Sequence, residues 1–302
     1  MTLMTIVVTG GSGLIGTALT KALLSKGYTV IVVDVKGPRL THQNLFFIPC
    51  NLGETTLPFN VLERTDAVIH LAGASIREKW TPLSADRAKE RMVRTTEHLM
   101  ESLRQTTNKP PLVVTASTTA YYGDGFERDL DERSARGDDE FTTTIEAREK
   151  TALEAEAFGC RVVIVRTAPV IARGGFLAPV VKLAKFHLVA PLKSDTDDWM
   201  PWIHINDLVR IYLFALETST LQGVVNAASP MPISHETFTK AVAVETKSIN
   251  LKGFLGRMVR KTPRIELLLN QRVLPQRLID KGFAFAYTNI REAIADILHE
   301  KN

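Results

Sequence analysis

Hydrophobic positions change period repeatedly along this chain. Thr5 to Thr9 is a short β-branched run, and after a cluster of glycines Leu14, Ile15, Ala18, Leu19, Ala22 and Leu23 recur at helical spacing until Gly27 stops them. Tyr28 to Val33 reads as a second strand. The alternation continues through strands at Leu45–Ile48, Ala67–Leu71, Leu112–Ala116 and Arg161–Val165 and helices over Ser84–Arg104 and Phe141–Phe158. Strands alternating with helices of this length predict a doubly wound α/β fold, its parallel sheet covered on both faces. Past residue 169 the alternation weakens, and Gly174-Gly175, Pro179, Pro191, Pro201, Pro230, Pro232, Pro263 and Pro275 punctuate shorter helical pieces. A helix at Ile205–Leu216 and a strand at Val224–Ala227 can return to the first sheet. The expected organisation is therefore discontinuous, with 1–169 and 200–228 in one domain and 170–199 and 229–302 in a smaller one.

Composition narrows the class without changing the architecture. Apolar residues make up 45% and charged residues 23% of the 302, the proportions of a globular chain with a continuous core rather than of a disordered or fibrous one. Basic residues exceed acidic ones by 37 − 33 = 4, which without a nucleic-acid-binding motif implies no nucleic-acid partner. The two cysteines, Cys50 and Cys160, have no neighbours at metal-ligand spacing, so neither a metal site nor a disulfide framework is expected, and a reducing cytoplasm is the simplest location. Residues 1–20 carry no charge, but four glycines, five threonines and the lack of a basic start argue against a targeting segment or membrane span.

Chemistry enters at the first turn. Gly10-Gly11-Ser12-Gly13-Leu14-Ile15-Gly16 lies between a strand and a helix, where a dinucleotide fingerprint has to lie. Gly10 permits the tight turn, Gly13 lets the backbone approach a pyrophosphate at the helix N-terminus, and Gly16 allows close helix-on-sheet packing. Asp34 follows Gly16 by 18 residues at the end of the second strand, where its carboxylate can accept both ribose hydroxyls of the adenosine. Asn51 and Leu52, after the third strand, are assigned to the same cofactor cleft. On Asp34 the preferred cofactor is NAD(H), since a carboxylate repels a 2′-phosphate, although Lys36 and Arg39 follow closely.

With these residues the sequence resembles the short-chain dehydrogenase/reductase superfamily, in its extended, nucleotide-sugar-epimerase-like branch. Three further segments carry the likeness: Asp66-Ala67-Val68-Ile69-His70-Leu71-Ala72-Gly73, Thr115-Ala116-Ser117-Thr118-Thr119-Ala120-Tyr121-Tyr122-Gly123 and Trp202-Ile203-His204-Ile205-Asn206-Asp207-Leu208. The Tyr-Tyr-Gly, Gly174-Gly175 and the tail Val273-Leu274-Pro275-Gln276-Arg277-Leu278, followed by Gly282-Phe283-Ala284-Phe285-Ala286-Tyr287, are similar to the epimerase-family subfamily with its own C-terminal domain. The resemblance implies a nicotinamide cofactor passing the end of this strand-four motif at Leu71, Ala72 and Gly73, where its small residues give room. It tends to imply NADP(H) and a basic residue at the second strand end, from which Asp34 departs. It also implies a catalytic Ser or Thr, here Ser117 or Thr118, and a Tyr four residues before a Lys whose ammonium lowers the Tyr pKa and holds the nicotinamide ribose.

That last element is incomplete. Lys150, with Glu154 after it, matches the superfamily's Lys helix, yet the residue four before Lys150 is Glu146, and no Tyr in the chain has a Lys at that spacing. Three readings stand side by side: Glu146 and Lys150 form a surface i,i+4 pair, Glu146 serves as a replacement acid or base, or Tyr122 or Tyr121 reaches substrate from the strand-five loop. His204 and Asp207 read equally as substrate contacts or as a packing His and a helix N-terminal acid.

Asp124 to Glu140, with eight acids and three bases, reads as a polar, mobile loop beside the active site. Lys252 to Lys281, with eight bases and two acids, reads first as a solvated face and second as an attractor of anionic substrate. His187 to Met200 departs from the subfamily's expected glycine-rich, Gln-containing composition there. The functional expectation is a nicotinamide-dependent oxidoreductase or epimerase acting on a small hydroxylated or sugar-like molecule. The alternative is a non-catalytic protein that binds the dinucleotide as a structural or sensory ligand.

Overall fold

The computed structural model describes residues 4–73, 82–184, 188–189, 198–250 and 269–299. Seven strands form the central sheet: β1 (Thr5–Thr9), β2 (Thr29–Asp34), β3 (Leu45–Pro49), β4 (Ala67–His70), β5 (Leu112–Thr118), β6 (Arg161–Thr167) and β7 (Gly223–Ala227), in the spatial order β7-β6-β5-β4-β1-β2-β3. The pairings of β1 with β2 and β4, of β2 with β3 and of β4 with β5 are parallel, with Val7 opposite both Ile31 and Val68. Parallel neighbours need a crossover, and α1 (Leu14–Ser25), α2 (Pro82–Gln105) and α3 (Glu140–Leu153) supply three of them. This is a Rossmann-like arrangement, with the strand order reversing beside β1, so the C-terminal ends of β1 and β4 flank the switch point where ligands bind in such sheets.

The sheet is buried because its strands are continuous runs of branched apolar residues. Ile6, Val7, Val8, Val68, Ile69, Val113, Val162, Val163 and Ile164 have no exposed surface. On one face Val7, Val33, Val68, Val113, Val162 and Ile164 pack with Leu99, Met100 and Leu103 of α2 and with Ala155 and Cys160. The helix expected over Phe141–Phe158 is shorter: α3 ends at Leu153, a 3-10 turn follows over Glu154–Phe158, and Gly159 closes it at φ +83°. Both cysteines are free thiols, and burial raises the pKa of each.

Two compact units interleave along the chain. The first comprises 1–118, 140–166 and 209–225; the second comprises 119–139, 167–208 and 226–302. Within the second, Trp202, Phe238, Phe176, Ile294 and Ile297 are buried, and Phe176 packs on Phe238 of α4 (His235–Thr246) at 5.9 Å between ring centres. Among the described residues no helix is long and apolar enough to cross a membrane, and no cluster of His, Cys, Asp and Glu is placed to hold a metal ion.

Candidate functional site

The turn between β1 and α1 uses its glycines for different reasons. Gly10 has φ +70°, and a Cβ there would stand 2.8 Å from Ala72 N, at the C-terminal end of β4. A Cβ on Gly16 would stand 2.4 Å from Gly10 O and 2.6 Å from the Gly11 Cα, so this glycine lets the first turn of α1 lie on the loop itself. Gly11 is closed in by Val32 at 2.8 Å. Gly13 differs: its φ of −71° suits any L residue, it is exposed, and a Cβ would meet only Gly10 O at 3.2 Å. Beyond that one tight backbone contact the space above Gly13 is open.

Gly13 is also the N-cap of α1, with no side chain capping it and no acidic residue in the first turn. The first N–H groups of a helix have no intrahelical acceptor, and together with the helix dipole they favour an anion. Leu14 and Ile15 occupy this first turn, with Leu14 exposed at 40%. Opposite, Asp34 Oδ2 accepts from Ser12 N at 3.0 Å and Oδ1 from Val35 N at 2.7 Å, while Ser12 Oγ donates to Lys36 O at 2.6 Å. The carboxylate is thereby held half-buried at the end of β2, with lone pairs remaining on both oxygens. A glycine cradle, a bare helix N-terminus and an anchored carboxylate fit a dinucleotide. Lys36 and Arg39 are exposed beyond them.

Of the other residues assigned to the cleft, Leu71, Ala72 and Gly73 continue β4 beside Gly10. Ala72 N donates to Thr9 Oγ1 at 3.3 Å, and its carbonyl accepts from Arg148 Nη2 at 3.0 Å. Asn51 caps its own turn, accepting from Gly53 N through Oδ1, and Leu52 is 4% exposed in the hydrophobic core, with its carbonyl taken by His98. Beneath this edge His70 lies 2.7 Å from Thr9 Oγ1 and 3.2 Å from Thr96 Oγ1. Burial, then the nearby Arg148 charge, holds its pKa well below the ordinary value, so it is neutral.

The segments expected to hold the catalytic groups are arranged otherwise. Lys150 is 70% exposed and pairs with Glu146 at 3.2 Å, the surface i,i+4 geometry of the first reading. The buried residues of α3 are Phe141, Thr142, Ile145, Arg148, Glu149 and Ala152. Those four apart are Phe141 and Ile145, Ile145 and Glu149, and Arg148 and Ala152, none of them a Tyr–Lys pair. Ser117 Oγ donates to Glu149 Oε1 at 2.5 Å, and Arg166 grips the same carboxylate with two bonds, Nε to Oε1 at 2.9 Å and Nη2 to Oε2 at 2.7 Å. Thr118, one residue on, is half-buried.

Tyr122 is 3% exposed and donates to Asn226 Oδ1 at 2.7 Å. The tail of the chain organises this second-unit segment. Gln271 Nε2 donates to Thr119 O at 3.0 Å and Gly123 O at 2.7 Å, Asn270 N donates to Asp124 Oδ1, and Asn226 Nδ2 donates to Leu274 O. The acidic segment is correspondingly not a loose polar loop. Asp129–Leu130 pairs with Arg272–Val273, and Glu132 accepts from the backbone of Asn226 and Arg277; its burial raises its pKa. Asp207 accepts from the backbone of Ala286 and Tyr287, and His204 stacks on Tyr287 at 3.7 Å, so both serve packing of the tail.

Residues 252–268 of the basic run and 187 and 190–197 of the departing loop lie outside the described residues. Sequence reasoning passed over Arg148, Glu149, Arg166, Asn226 and Gln271. The helical register of α3 carried the available signal, since Phe141, Ile145 and Ala152 mark the stripe on which Arg148 and Glu149 fall.

Comparison with known proteins agrees with this geometry. The chain is 26% identical over 307 residues to "Epimerase family protein YfhF" of Bacillus subtilis, covering 99% of each. Human epimerase family protein SDR39U1, solved with NADPH, superposes with TM-score 0.81 at 25% identity, over 97% of this chain and 99% of that one. A nucleoside-diphosphate sugar epimerase from Corynebacterium glutamicum gives TM-score 0.79 at 28% identity, covering 99% of this chain and 59% of that one. Residues 261–297 match a domain of unknown function, DUF1731. The model described as "NAD dependent epimerase/dehydratase family" matches residues 6–228, and the chain belongs to that family.

Proposed function

We propose that this protein binds a nicotinamide dinucleotide along the C-terminal ends of β1, β2 and β4 and acts, as an oxidoreductase or epimerase, on a small hydroxylated or sugar-like molecule. The observation that carries the reading is the open Gly13 face at the bare N-terminus of α1, set opposite the anchored Asp34 carboxylate. Gly10, Gly11, Ser12, Gly13, Leu14, Ile15 and Gly16 would hold the pyrophosphate, Asp34 the adenosine ribose, and Leu71, Ala72 and Gly73 the passage toward the nicotinamide. When bound, the cofactor supplies hydride exchange. The nucleoside-diphosphate sugar epimerase relative supports a sugar nucleotide as the substrate class.

Asp34 supports NAD(H) over NADP(H), because a 2′-phosphate would bring negative charge against a carboxylate already fixed by two backbone N–H groups. The human relative's NADPH marks the opposite preference as the competing result. Calorimetric titration of both reduced dinucleotides decides it: tighter NADH binding is expected, and tighter NADPH binding overturns the preference.

Among the expected catalytic groups, Ser117 Oγ is taken by Glu149, which makes Thr118, half-buried one residue on, the hydroxyl to test. Lys150, Glu146 and Tyr122 have surface or packing partners, which favours a second reading, a dinucleotide-binding protein without Tyr-dependent turnover. General acid–base assistance is worth ~100- to 10,000-fold, so a hydride-transfer screen over sugar nucleotides, secondary alcohols and ketones separates the readings. Slow turnover, unchanged in Lys150→Ala, is expected; brisk turnover abolished by Lys150→Ala or Tyr122→Phe would contradict these placements.

A further inference from the structure

The buried charges of the first unit do not balance. Among its described residues the buried ionic side chains are Arg148, Glu149 and Arg166, two cations for one anion. Arg166 takes both oxygens of Glu149, and Ser117 adds a third bond to that carboxylate. Arg148, only 8% exposed, is left with neutral acceptors: Nε donates to Thr96 Oγ1 at 3.3 Å and Nη2 to Ala72 O at 3.0 Å. No hydrogen bond from Nη1 and no ion pair of this guanidinium is found among the described residues. Burial lowers the Arg148 pKa to about 10 against the raising influence of Tyr212 and of the Glu149 charge, which acts on the guanidinium from a distance without bonding to it; the side chain stays charged at neutral pH. His70, sharing Thr96 Oγ1 with it, is neutral and supplies no counter-charge.

The place of this cation gives its charge a use. Side chains on a helix lean toward its N-terminus, and Arg148 reaches from α3 to the end of β4. Its Nη1 is 3.7 Å from where a Cβ of Gly73 would stand, and Gly73 is exposed. The neighbouring Ala72 is the residue against which Gly10 of the glycine turn is packed. A buried guanidinium without a carboxylate is costly unless an anion completes it, and its fork of N–H groups matches phosphate or carboxylate oxygens.

We propose that Arg148 is an anion-binding residue of the ligand site, taking through Nη1 a phosphate or carboxylate oxygen of the molecule held at the end of β4. This rests on the dinucleotide reading above. The anion belongs either to the dinucleotide's diphosphate or to the second ligand, and the chemistry at the guanidinium is the same.

The test compares native protein with Arg148→Met and Arg148→Lys. NADH and NADPH are titrated by calorimetry, then UDP-glucose is titrated into NADH-saturated protein, and unliganded melting is recorded for each chain. In Arg148→Met, one of the two ligand classes is expected to bind about 10- to 100-fold more weakly, the loss of a charge-assisted bond, with Arg148→Lys in between. The unliganded melting temperature of Arg148→Met should be equal to or above native, because a buried cation that bonds to no carboxylate among the described residues has been removed; a purely structural arginine would show the reverse. Weakening of the dinucleotides assigns the anion to the cofactor, and weakening of UDP-glucose alone assigns it to the second ligand. If Arg148→Met fails to fold, the charge was structural and the proposal falls. Native-like affinities in a folded Arg148→Met overturn it while leaving the dinucleotide reading intact. A native chain that binds no dinucleotide overturns both.

Discussion

The β1–α1 turn and the α3–β5 contact differ in what they do with their polar groups. At the turn, backbone N–H groups at the start of α1 are left uncapped and Asp34 keeps lone pairs for a ligand. At the contact, Ser117, Glu149 and Arg166 consume one another, and Glu146 consumes Lys150 at the surface. Unsatisfied groups in a fold mark places completed by something else, whereas closed networks mark structure. The difference teaches that binding competence in this protein is built into backbone geometry, while the side chains expected to move protons are largely committed elsewhere.

Breaking the closed side of that comparison should have the largest effect on folding. Glu149→Gln leaves the Arg166 guanidinium buried without its counter-charge, and loss of one partner of a buried pair costs about 3–5 kcal/mol. Urea denaturation followed by circular dichroism checks this; an unchanged midpoint would show that the network is not closed. On the open side, Gly16→Ala forces a Cβ to 2.4 Å from Gly10 O, and overpacking of this kind costs about 1–3 kcal/mol or more. Both the melting temperature and dinucleotide affinity should fall together in that variant, and a fall in affinity alone would show that Gly16 acts through ligand contact without a part in packing the loop.

How much of this was legible in the sequence follows from the physics of each part. β1 at Thr5–Thr9 and the glycine turn were legible because strand propensity, glycine spacing and Asp34 are local signals read within one βαβ unit. The sheet was legible for the same reason, as strand–helix alternation leaves few topologies. The partners of Ser117 and Tyr122 were not, because Glu149 is 32 residues away and Asn226 is 104, and no local pattern joins them. Lys150 was singled out by its spacing to Glu154, while the burial stripe of α3 runs through Arg148 and Glu149. The role of the tail motif was also invisible, since Gln271 acts on Thr119 across 152 residues.

Smaller effects sharpen the comparison. Gln271→Ala removes two donors and leaves the Thr119 and Gly123 carbonyls in a buried setting, a loss of about 1–3 kcal/mol. Thermal melting reads it, and a stability equal to native would show that the tail does not hold the 119–123 turn. At the bottom of the scale, Lys150→Ala breaks only a surface pair, worth about 0.3–0.5 kcal/mol, and should leave dinucleotide affinity untouched. A tenfold loss of affinity in that variant would bring Lys150 back to the ligand.

The central claim, that the open Gly13 face receives a dinucleotide, is tested most directly by titrating NADH into native protein and into Gly13→Val by calorimetry. At φ −71° valine fits the backbone, and its Cβ meets one atom, Gly10 O, at a tight 3.2 Å to which the loop must yield slightly, so the variant should fold with at most a modest fall in melting temperature while its branched methyls fill the space for the phosphates. The account predicts saturable binding to the native chain and a loss of about 100-fold or more in Gly13→Val. Native-like binding to the folded variant would contradict it.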